Sequence, residues 1–121
     1  MKIQKLSPLE ETKRKIRECY NYSISTNKGI LCGDEREKLI GYLNGINESF
    51  YSPEAKKELG ALRLNSLKSS GSPNSPKDLV TKITTELKNA SEIVKEEYFL
   101  KHQLENTLSD LIYNITCLQQ F

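Results

Sequence analysis

The last third of the chain carries a seven-residue apolar rhythm that narrows its folding options more than any other feature. From Val80, steps of three and four residues land on Val80, Ile83, Leu87, Ala90, Val94, Glu97, Lys101, Leu104, Leu108, Leu111, Ile115 and Leu118. Ten of these twelve positions are apolar, and neither Gly nor Pro follows Pro76. A helix with such a stripe cannot bury its own seam and must lie against another helix.

From Pro76 to Leu118 is 43 residues, about 65 Å if straight at 1.5 Å per residue. A compact domain of this size has a radius of gyration of about 14 Å. The segment is therefore either a projecting rod that pairs with another chain or a helical hairpin. The heptad phase runs unbroken through Asn89-Ala90-Ser91 and Asn106-Thr107, the two places where helix preference is weakest. Retained phase favours one continuous helix, with Glu97 and Lys101 as a polar layer.

Helix starts are explicit upstream. Ser7-Pro8-Leu9-Glu10 is a capping box with proline at the first helical position, and it predicts a helix over about 8–26. Its inward stripe is Leu9, Thr12, Ile16, Cys19 or Tyr20, and Ile24. Residues 29–33 read as a connector with Ile30 and Leu31 turned inward. A second helix is predicted from Asp34, whose carboxylate can cap it, with Leu39, Leu43, Ile46 and Phe50 facing in. Gly41 and Gly45 lie four apart on that helix, which either admits a close neighbour or weakens the helix. Ser52-Pro53 opens a third helix to about Leu67, residues 68–75 form a small polar linker, and Ser75-Pro76 restarts helix.

The predicted fold is thus all-α, a single domain spanning 1–121. Three shorter helices over 8–67 are joined through the linker to a long helix, or a hairpin, over 76–118 with coiled-coil-like heptads. Composition agrees. Apolar residues make up 36%, charged residues 28%, and Trp is absent, which suits thin helices with broad polar faces better than a doubly buried parallel sheet.

Charge excludes little. The net charge is +2, divided as 13 Lys/Arg against 9 Asp/Glu over 1–75 and 5 against 7 over 76–121. These unequal halves can attract one another within the chain or between copies, though they also fit ordinary solvated helix faces. Lys13, Arg14 and Arg17 give the first helix a basic character and are the candidate nucleic-acid contacts. Glu10, Glu11 and Glu18 dilute it, and no groove-reading motif accompanies it.

Catalytic machinery is hard to find. A single histidine, His102, rules out a multi-histidine zinc site, and neither a cofactor nor a metal is implied. Three cysteines without a close pair (Cys19, Cys32 and Cys117) argue against a disulfide framework and for a reducing compartment. Cys32 is the candidate reactive thiol, and His102 its only possible base. No signal-peptide or membrane-span pattern is present, so the expected location is cytoplasmic, or another cell reached without a recognisable leader.

The functional expectation is a non-enzymatic protein-binding module, of adaptor, inhibitor, chaperone or effector type, whose partner is another protein or a second copy. Its contact surface is predicted along Val94, Tyr98, Leu104, Leu108, Leu111 and Ile115, because Leu79, Ile93, Phe99, Leu100 and Ile112 add more apolar surface than one seam can hide. Alternatives are nucleic-acid association through the first helix, and a helical bundle of the bacteriocin-immunity type.

Overall fold

The computed structural model describes residues 7–66 and 76–120. Five helices account for almost all of them: α1 (Pro8–Ser25), α2 (Gly33–Phe50), α3 (Pro53–Ser66), α4 (Pro76–Lys95) and α5 (Lys101–Gln119). Two strands of two residues each, β1 (Ile30–Leu31) and β2 (Phe99–Leu100), lie in the α1–α2 and α4–α5 connectors and pair antiparallel. The all-α expectation is met, and the expected linker at 68–75 lies outside the described residues.

Caps start the helices where the sequence places them. Ser7 Oγ accepts from the Glu10 N–H at 3.2 Å, and Pro8 follows with no N–H to satisfy. The Leu9 N–H, another donor left over at the helix start, is taken by Glu58 Oε2 of α3 at 2.9 Å. Glu10 does not turn back to complete the box: its Oε1 accepts from the Gln119 side-chain amide of α5 at 2.6 Å. For α3, Ser52 Oγ accepts from the Ala55 N–H at 3.2 Å.

Helix α2 departs from expectation at its first turn. It opens at Gly33 rather than at a capping Asp34, and Cys32 holds the cap position with no side-chain bond. The backbone at Gly33 has φ of +59°, a left-handed value that glycine adopts without the penalty a β-carbon brings. Asp34 and Glu35 then lie in the first turn, beside the positive end of the helix dipole.

The core lies between α1, α2, α4 and α5. Helix α1 packs on α2 and α5, and α4 packs on α5 and α2. Leu9, Ile16 and Cys19 from α1 meet Leu39, Leu43, Ile46 and Phe50 from α2, all buried. The expected stripe of α1 fails only at its end: Ser23 is buried there and Ile24 is 47% exposed. Helix α3 rests more lightly, with Ala55 buried and Leu59 and Leu62 half-buried against the core.

The C-terminal third is a hairpin, not a rod. Helix α4 ends at Lys95 and α5 begins at Lys101, so the two places of weakest helix preference, 89–91 and 106–107, both lie inside intact helices. The heptad stripe nevertheless goes inward on both arms: Ile83, Leu87, Ala90 and Val94 from α4, and Leu104, Leu108, Leu111, Ile115 and Leu118 from α5, are all buried. Its two polar positions belong to the turn region. Glu97 is exposed within the connector, and Lys101 opens α5.

Candidate interaction surface

The α4–α5 turn is held by a residue from another helix. Arg36 of α2 donates from Nε to the carbonyls of Val94 at 2.8 Å and Glu96 at 2.9 Å, and from Nη2 to that of Lys95 at 3.3 Å. The Val94 and Lys95 carbonyls close α4, where no further helical N–H reaches them, and Glu96 is the first residue beyond it. A cation at the negative end of the helix dipole adds to the attraction.

Released from helix, the chain pairs with the opposite connector. Leu31 lies across from Phe99 and Ile30 across from Leu100, and the Lys101 N–H extends the pairing to the Gly29 carbonyl at 2.9 Å. Successive residues of a strand point to opposite faces. Leu31 and Phe99 accordingly seal the core at 0% and 5% exposure, while Ile30 and Leu100 face outward at 54% and 47%. The expectation that both Ile30 and Leu31 turn inward thus holds for Leu31 alone. Lys101 Nζ also donates to the Thr26 carbonyl at 2.8 Å just beyond α1, fixing the ribbon against that helix.

The outward face of this ribbon is apolar. Six large hydrophobic residues are well exposed among the described residues, and four of them (Ile24, Ile30, Tyr98 and Leu100) belong to this end. Tyr98 immediately precedes β2 and is 63% exposed; Ile24 lies in the last turn of α1. At the rim, Lys28 pairs with Glu35 at 3.0 Å, and that carboxylate raises the pKa of the lysine. Grouped exposed apolar side chains with a charged border are typical of surfaces that meet another protein.

Of the six residues predicted to bind a partner, only Tyr98 is on the surface. Leu104, Leu108, Leu111 and Ile115 have no exposed area and Val94 has 4%, because α1, α2 and the opposite arm of the hairpin cover the stripe. The apolar excess off that stripe is also largely absorbed. Leu79 and Phe99 are buried, Ile93 and Ile112 are half-buried against the core, and Leu100 alone is exposed. Ile24 and Ile30, expected inward from the sequence, face out at this patch. The paired register of two remote connectors is invisible to periodicity within either one.

The basic residues of α1 are largely engaged by neighbours. Lys13 Nζ donates to Gln119 Oε1 at 3.2 Å, and Arg14 bridges Glu11 and Glu18. Arg17 is exposed. The cysteines are dispersed. Cys19 is buried, and the cost of placing a thiolate there pushes its pKa up to about 12. Cys32 and His102 follow opposite ends of the ribbon, one after Leu31 and the other after the Gly29–Lys101 contact, so the fold does not join them as nucleophile and base. No helix among the described residues is long and apolar enough to cross a membrane. No family model, curated protein or solved structure matches the chain.

Proposed function

We propose that the protein is a non-enzymatic binding module that meets another protein with the apolar face of its two-connector ribbon. The observation that carries this reading is the outward Ile30–Leu100 pair, with exposed Tyr98 two residues before Leu100 and exposed Ile24 in the last turn of α1. The surface is preformed, since the Arg36 contacts to α4 and the Lys101 contacts to Gly29 and Thr26 hold its backbone. Binding therefore involves little ordering cost, which favours affinity from a small patch. Tyr98 has the character of an anchor residue, a large ring with few rotatable bonds.

The test is affinity capture from the source cell with the natural chain and with an Ile30→Glu/Leu100→Glu double variant. Both substituted positions are exposed, so the helical circular-dichroism spectrum should not change. A partner held stoichiometrically by the natural chain and lost from the variant supports the assignment. The same partner recovered equally by both proteins refutes this surface.

A further inference from the structure

A second surface lies on the other side of the α1/α2 pair, in a furrow that the ribbon does not touch. One section, of about 570 Å³, is lined by Lys15, Glu18 and Tyr22 of α1 and by Lys38, Gly41, Tyr42 and Gly45 of α2. The adjoining section, of about 630 Å³, shares Lys15 and is bordered by Glu11, Glu48 and Glu54. The helices are antiparallel: Lys38 Nζ stands 5.5 Å from the Tyr22 ring centroid at one level, and Thr12 Oγ1 meets Ser49 Oγ at 2.7 Å at another.

Part of this lining is arranged symmetrically: on α2 Lys38 mirrors Glu48 and Gly41 mirrors Gly45, and on α1 Lys15 mirrors Glu18, whereas Tyr42 and Glu54 have no such counterpart. On α2, Lys38, Gly41, Gly45 and Glu48 are spaced three, four and three apart. On α1, Glu11, Lys15, Glu18 and Tyr22 are spaced four, three and four apart. Such spacings keep each series on one helix face. The midpoints, Leu43 on α2 and the Ile16–Arg17 step on α1, fall at the same level to within about one residue, or 1.5 Å of helix rise.

We propose that this furrow receives a second copy of the chain, antiparallel, about a two-fold axis through those midpoints. The axis brings Lys38 of one copy to Glu48 of the other, Gly41 to Gly45, and Lys15 to Glu18. Each contact occurs twice, as an isologous interface requires. Lys15, Lys38 and Glu48 make no ion pair among the described residues, and Arg14 engages only one oxygen of Glu18. The two glycines set the approach distance. A β-carbon built at Gly41 or Gly45 meets nothing within 4 Å, so the bare α2 backbone of each copy is open to the other.

Sedimentation equilibrium on the purified full chain, from about 5 to about 500 µM at low salt, tests this directly. The natural chain should approach twice its monomer mass. Lys38→Glu and Glu48→Lys should each weaken association by about tenfold or more, since each sets like charges opposite one another twice. An equimolar mixture of those two variants should associate as a 1:1 pair, because both sets of opposite charges are restored. Gly41→Leu should be monomeric yet, in dilute solution where the natural chain is also monomeric, melt no lower than it, which separates blocking the interface from damaging the fold. A natural chain that stays monomeric throughout, or association unchanged by both Lys38→Glu and Gly41→Leu, overturns the proposal. Ile30→Glu/Leu100→Glu should still associate, so failure here is distinguishable from failure of the ribbon as a partner surface.

Discussion

Arg36 and Val94 are 58 residues apart in sequence, yet the guanidinium of one donates to the backbone carbonyl of the other at 2.8 Å. With the further bonds to the carbonyls of Lys95 and Glu96, this contact marks where α4 stops and the ribbon connector begins.

Arg36→Ala should therefore lower stability by about 1.5–3 kcal/mol, the range for hydrogen bonds to a charged group. Arg36→Lys, which has no fork to divide among carbonyls, should recover only part of that. Urea denaturation measures both. Amide exchange in residues 96–100 should accelerate more than elsewhere in the alanine variant.

The residues expected from the sequence to meet a partner should divide sharply on substitution. Leu108→Ala, at a site with no exposed area, should cost about 2–5 kcal/mol from lost burial and a residual cavity. Tyr98→Ala, at 63% exposure, should change stability by no more than about 0.5 kcal/mol. Equal losses in thermal melts would contradict the hairpin packing.

Glu86 links the arms of that hairpin, accepting from Asn114 Nδ2 at 2.9 and 3.1 Å. Desolvation, chiefly, raises its pKa above 4.5, with Asp110 adding repulsion and the Asn114 bond opposing the shift. A raised native pKa means that the folded protein holds this proton more tightly than the unfolded chain. The stabilising effect is complete below the unfolded value and is lost as pH rises through the folded one. Glu86→Gln should remove that loss, so the natural chain should fall in stability relative to the variant as pH increases from about 4 to 7.

Thiol accessibility should rank with burial. At pH 8, a thiol-specific reagent should modify Cys32 and Cys117, both half-buried, well before Cys19, whose pKa burial pushes up to about 12. Cys19 should react at a comparable rate only in denaturant.

Two glycines on one helix should respond oppositely. Gly33→Ala forces a β-carbon onto φ of +59° and should cost about 1–2 kcal/mol. Gly41→Ala, in regular helix with open space beside it, should stabilise the monomer by about 0.4–1 kcal/mol. Chemical denaturation of dilute protein distinguishes them.

What was legible in the sequence follows the range of the forces involved. Ser7 and Ser52 act within one turn, and Leu39, Leu43, Ile46 and Phe50 share a face through helical period alone, so these features could be read locally. The α4–α5 break could not. Its stop comes from Arg36, far away in the chain, and its pairing from Gly29 and Ile30. Asn89 and Asn106, poorer helix formers, stayed helical because Leu87, Ala90, Leu104 and Leu108 are buried on either side of them. Packing outweighed propensity there. The ribbon surface was missed for the same reason, apart from Tyr98.

The pairing of Gly29 with Lys101 joins the α1/α2 hairpin to the α4/α5 hairpin by backbone at one end. At the far end of α5, Gln119 reaches Glu10 and Lys13 of α1 only through side chains. Thermal breathing should thus follow a clamshell path, with the ribbon as hinge and the Gln119 side as the mouth.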